Sequence, residues 1–232
     1  MSGASNRLIR PVGRGQGQPA TEVFRKSFGE PIPQIVDISK NPFLTALFGQ
    51  QGAAEKIRRK LVLLSRKGGK IVPAKGIVAS ALSASEATGN QDLVFVGVEF
   101  LAEYHPQEST LAGILAHEWG HLVSEFPKGL NPDDFSMDQI FALRKEEEAA
   151  ADSYAGKMLF WMDYEPEGLA RFLSQPQVRH ETYKYHSAGT RAAIIRQAFE
   201  EEKRKRASIL RLRFFESPGY TNPFSARLLA VV

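Results

Sequence analysis

The chain has 232 residues, 43% hydrophobic and 24% charged, and carries a formal charge of +4. A chain of this length suits one domain with a substantial core. It contains no cysteine, which excludes a disulfide framework, a thiolate nucleophile and any thiolate-held metal. Thirty Lys and Arg against 26 Asp and Glu make a mixed, solvated surface. They do not form the clustered footprint of a nucleic-acid binder, and no nucleic-acid partner is expected.

Residues 1–20 are rich in Gly, Arg, Gln and Pro and read as a flexible basic arm. They contain no apolar stretch of the kind that opens a secretory signal. No run of 18 apolar residues occurs anywhere, so no membrane-spanning segment is expected and the default location is the cytoplasm. Residues 21–216 read as a single domain, and 217–232 as an irregular tail.

Asn41-Pro42 marks a helix start, with Phe43, Leu44, Leu47 and Phe48 forming a short apolar face. Residues 52–65 are a clearer helix, with Ile57, Leu61 and Leu64 on one side. Residues 70–80 alternate weakly and read as a strand, and Gly89-Asn90 signals a turn. Leu93, Val94, Phe95, Val96 and Val98 give the strongest strand of the chain. Pro106 then opens a helix over 107–126, closed by Pro127 and Gly129. Further helices are expected over 134–162, 167–174 and 189–215. The fold class is α+β and mostly helical.

The informative residues are His117-Glu118-Trp119-Gly120-His121. On a helix the two histidines stand about one turn apart on one face, so both imidazoles reach one ion. Glu118 projects beside them. The spacing is that of a metalloprotease zinc helix. Zinc accepts neutral imidazole nitrogen, keeps a position open for water and lowers the pKa of that water to about 7. A neighbouring carboxylate takes the proton as the water attacks a carbonyl. Leu111, Ile114, Leu115, Leu122 and Val123 make the helix apolar around the motif, so a charged Glu118 there calls for a partner.

A third ligand is required. Ser124 and Pro127 stand where a metzincin would place glycine and histidine, which excludes that class. Within Glu146-Glu147-Glu148-Ala149-Ala150-Ala151-Asp152, Glu148 is preferred because only it has an aspartate four residues on. Glu147 stays open as the alternative. Asp152 is placed to accept the second ring N–H of His117. The small alanines allow the two helices to approach.

His-Glu-x-x-His followed by Glu148-Ala149-Ala150-Ala151-Asp152 resembles the gluzincin signature. Its form is similar to that of peptidase family M48, the group of the CAAX prenyl proteases and HtpX-like proteases. The likeness spans roughly residues 70–195. It implies a zincin-like domain with a small sheet over the zinc helix, and zinc-dependent endopeptidase activity. It implies a peptide or protein substrate lying as an added strand along residues 92–100. Tyr185-His186-Ser187-Ala188-Gly189-Thr190-Arg191 is similar to the family's downstream His-Pro…Arg segment. By that resemblance His186 stabilises the transition state and Arg191 supports the metal ligands. Ser187 departs from the family proline, and Tyr183 and Tyr185 are alternative donors. Two other functions fit the same motif: a hydrolase of non-peptide substrates, and a non-catalytic or latent zinc-binding module.

Overall fold

A computed structural model describes residues 18–127, 130–175, 182 and 184–215, with side chains to 209. The arm expected over 1–20 falls largely outside these residues, as does the tail over 217–232. Eight helices surround a three-stranded sheet among the described residues, so the fold is mostly helical α+β. No described helix is long and apolar enough to cross a membrane.

Helix α1 (Ala20–Phe28) was not legible in the sequence. It buries Ala20, Val23 and Phe24, and Gly29 ends it in the left-handed conformation at φ 62°. Its Phe24 ring meets Phe126 edge to face, with centroids 6.2 Å apart. Helices α2 (Pro42–Phe48) and α3 (Ala53–Ser65) follow, the first capped by the Asn41 side chain on the amides of Phe43 and Leu44.

The stretch expected to form one strand forms two, β1 (Lys70–Ala74) and β2 (Ala79–Leu82). Strand β3 (Leu93–Gly97) lies between them, parallel to β1 and antiparallel to β2. This corrects the expectation of a substrate strand along 92–100. Both edges of β3 are already paired, and all five of its residues are buried. An unbroken apolar run is what a central, covered strand requires. Residues 98–100 leave the sheet altogether, in α4 (Val98–Tyr104).

Helix α5 (Glu108–Val123) buries twelve of its sixteen residues and so runs through the middle of the molecule. Trp119 is fully buried on it and donates its indole N–H to Ser65 Oγ at 3.1 Å. Helix α6 (Met137–Met162) opens with a capping box between Ser136 and Gln139. It crosses α5 where Gly120 meets Ala151: a Cβ at residue 120 would stand 3.0 Å from Ala151 Cα. Of the three alanines, Ala151 makes this approach, while Ala150 is exposed. Helices α7 (Glu167–Leu173) and α8 (Ala188–Phe215) complete the fold, α8 packing along α6.

Candidate metal centre

Helix α5 presents both histidines to the same point. The Nε2 atoms of His117 and His121 lie 3.2 Å apart. Glu148, one helix away on α6, brings Oε2 to 3.2 Å from His117 Nε2 and Oε1 to 3.6 Å from His121 Nε2. Ligand atoms at about 2.0–2.1 Å from a tetrahedral ion stand about 3.3–3.4 Å from one another, and the three observed separations bracket that spacing. All three residues are buried.

Two features of the cluster fit a cation. Glu148 Oε2 is buried without a hydrogen-bond partner. The two Nε2 atoms face each other because each ring turns its Nδ1 toward another carboxylate. Two imidazole lone pairs at this distance repel unless a proton or a cation lies between them. Buried His and Glu groups here could therefore hold a metal ion.

Glu147 and Glu148 lie close enough to form, with His121, a second group that could hold an ion, but they meet different atoms of its ring. Glu147 accepts a short hydrogen bond from His121 Nδ1, away from the point where the two Nε2 atoms meet. Asp152 Oδ1 lies 2.9 Å from His117 Nδ1, off the line of a hydrogen bond. Each histidine thus has its own carboxylate on the far side of its ring. Arg191, reaching over from α8, donates Nε to Asp152 Oδ2 at 2.7 Å and Nη2 to Oδ1 at 2.9 Å. Arg144 donates Nη1 to Glu147 Oε2 at 2.7 Å and places Nη2 2.7 Å from Glu148 Oε1.

These charges set the protonation of the cluster. Burial disfavours the charged form of His117, but Asp152 and Glu148 outweigh it and raise its pKa to about 10. For Glu148 burial is outweighed by Arg144 and the two histidines, which hold the carboxyl far below the usual range. Asp152 is lowered in the same way, by His117 and Arg191 against its own desolvation. Glu118 differs: desolvation dominates and pushes its carboxyl up, as suits a group that exchanges a proton.

Glu118 borders two cavities that share His117 as a wall. One, of about 290 Å³, has an apolar wall of Val78, Ile114, Phe172 and Leu173, and His186, Tyr185 and Arg191 lie on it too. The other, of about 270 Å³, is polar. Strand β2 lines it on one side and Thr21, Arg25 and Glu30 on the other.

The structure therefore brings together His117, Glu118, His121, Glu148, Asp152 and Arg191, with His186 on the cavity wall beside them. Sequence reasoning passed over the role of Glu147 at His121, and Arg144 entirely. The signal for Arg144 was its helical spacing, three and four residues before the two glutamates. No family model matches the sequence, and no curated protein matches it.

Proposed function

We propose that the chain is a zinc-dependent peptide-bond hydrolase with a zincin-like, M48-type arrangement, in which His117, His121 and Glu148 hold the ion. The observation that carries this reading is the convergence of two Nε2 atoms and one carboxylate at 3.2–3.6 Å, with Glu118 bordering the adjoining cavities. An ion there supplies Lewis-acid polarisation of the scissile carbonyl and of water.

The chain's own residues do the rest. The Glu118 carboxylate takes a proton from the attacking water as its oxygen bonds to the carbonyl carbon. The C–N bond then breaks, and Glu118 returns the proton to the amine nitrogen. His186, or Tyr185 beside it, donates to the carbonyl oxygen as negative charge develops there. Asp152, fixed by Arg191, keeps His117 turned with Nε2 toward the ion. The outer strand β2 lines the cleft, and its edge offers backbone groups to an extended peptide in place of the enclosed β3.

The test is a mass-spectrometric search for cuts in a proteome-derived peptide pool, with zinc-loaded wild type beside Glu118→Gln. The variant should keep its metal and lose turnover by about 10²–10⁴-fold or more. Cuts made equally by both would overturn the mechanism.

One observation favours a latent form of the same enzyme. Glu30, on the polar cavity, pairs with Lys184 at 2.5 Å, joining that wall to the segment carrying Tyr185 and His186. If this contact restrains the cleft, Glu30→Gln raises kcat/KM. An unchanged value removes the latent reading.

A further inference from the structure

Arg144 is the least expected member of the cluster. It sits on α6 with 9% of its surface exposed, and its hydrogen bond and ion pairs go to carboxylates rather than to the histidines. One guanidinium bridges two carboxylates of different duty: Glu147, hydrogen-bonded to His121, and Glu148, which faces both Nε2 atoms. Behind it lies the Phe24 ring of α1, 5.2 Å from the guanidinium carbon. The planar fork is thus held between an aromatic face and two acidic groups, a site that suits Arg and not Lys.

The arrangement repeats one found at the other histidine. Arg191, Asp152 and His117 form one series. Arg144, Glu147 and His121 form the second. The two arginines come from different helices, α8 and α6, and each fixes the carboxylate behind one imidazole. Arg144 also comes closer than Arg191 to the carboxylate expected to ligate: its Nη2 stands 2.7 Å from Glu148 Oε1, against 3.9 Å from Arg191 Nη2 to Glu148 Oε2.

Resting on the metal reading above, we infer that Arg144 is a positioning residue of the metal centre: through Glu147 it sets the ring of His121, and through Glu148 Oε1 it sets the third ligand, with Phe24 of α1 holding it in place. A planar guanidinium with two arms meets both carboxylates at once; a single ammonium meets one. Substitution should therefore loosen the metal without removing any ligand. Outer partners of this kind are typically worth about 10–100-fold in metal affinity.

The experiment measures cobalt(II) and zinc(II) affinity by chelator competition, and the visible spectrum of the cobalt form, for the full chain. The variants are Arg144→Lys, Glu147→Gln and the pair combined. Arg196→Lys, in an exposed ion pair with Glu167, is the control. The expected result is an affinity loss of about 10–100-fold in each single variant with a changed cobalt spectrum. The double variant should lose more than either single but less than the sum of the two, because both share the Glu147 arm while the Glu148 arm belongs to Arg144 alone. Wild-type affinity and spectrum in Arg144→Lys would overturn the inference, as would fully additive losses. If Arg144→Lys does not fold, the nearly isosteric Glu147→Gln carries the test by the same readings. A wild-type chain that binds neither metal overturns the metal reading itself, whereas a wild type that binds beside unaffected variants overturns only the role of Arg144.

Discussion

Arg191 grips Asp152 with two parallel hydrogen bonds, 2.7 Å from Nε and 2.9 Å from Nη2. The first residue stands on α8 and the second on α6, and Asp152 Oδ1 is in turn 2.9 Å from a histidine of α5. Three helices are thus tied at one carboxylate. Asp152 is fully buried and Arg191 half-buried, so water screens the tie only in part, and removing the arginine leaves a buried charge short of a partner.

Arg191→Lys tests the tie. Lysine keeps the charge but loses the fork that matches a carboxylate. The expected loss of zinc affinity is about 10–100-fold, read by chelator competition. An unchanged affinity would mean that Asp152 does not depend on Arg191 for its position.

Much of this site was legible in the sequence because it follows helical periodicity. His117 and His121, and Glu148 and Asp152, are each four residues apart and face one way on their helices. Glu148 could not be separated from Glu147 by pattern alone, since consecutive residues on α6 differ by only about 100° in direction. Both point at the histidines, and the packing distance of α5 decides which carboxylate reaches Nε2. Gly120 sets that distance. The role of β3 was misread for a related reason. Its apolar run shows burial, but which neighbours bury it depends on β1 and β2, and residues 70–80 do not show that they form two strands. Helix α1 escaped notice because its core contacts, Phe126 and Arg144, are over a hundred positions away.

Removing the ion should destabilise the fold. At free zinc 100 times its Kd, binding adds about 2.7 kcal/mol. For a chain of this size that corresponds to a Tm drop of roughly 5–10 °C on chelation. His121→Ala should show no such drop, because it no longer binds. A chelator-sensitive Tm in that variant would contradict the ligand set.

The raised His117 pKa gives a pH dependence with a definite sign. Without an ion, burial of the ring is outweighed by Asp152 and Glu148, which push its pKa up from 6.5 to about 10. The stability contributed by the charged ring is therefore complete below 6.5 and is lost as pH rises toward 10. Glu148 and Asp152 are lowered from 4.5 and 3.8. Their contribution is complete above those values and is lost on further acidification. Metal-free protein should be most stable between about pH 4.5 and 6.5. Zinc uptake at pH 7 must then displace a proton from His117, and affinity should rise with pH. Calorimetry in two buffers of different ionisation enthalpy reads this directly. At least one proton should be released per ion, because burial is outweighed at His121 too, where Glu147 and Glu148 raise the pKa, and zero release would contradict the protonated His117 ring.

The last prediction concerns how packing reaches the site. Gly156 lies one turn beyond Asp152 on α6, against α8. A Cβ there would stand 2.2 Å from the Ile195 carbonyl oxygen and 3.0 Å from Ala198 Cβ. The backbone oxygen cannot swing aside, so Gly156→Ala must push α8 outward. Overpacking of this kind costs about 1–3 kcal/mol. Ile195 is itself one turn beyond Arg191, so the same displacement draws the guanidinium away from Asp152. Denaturant unfolding should show the stability loss, and metal affinity should fall with it. Gly189→Ala, near the start of α8, is the control: the added Cβ meets only Ser187 Oγ, at 3.9 Å, and should leave both unchanged or slightly raise stability. A folded Gly156→Ala protein with weakened metal binding would show that the spacing of α6 and α8 holds the Arg191–Asp152 tie in register. Full affinity despite the stability loss would show that the tie tolerates the shift.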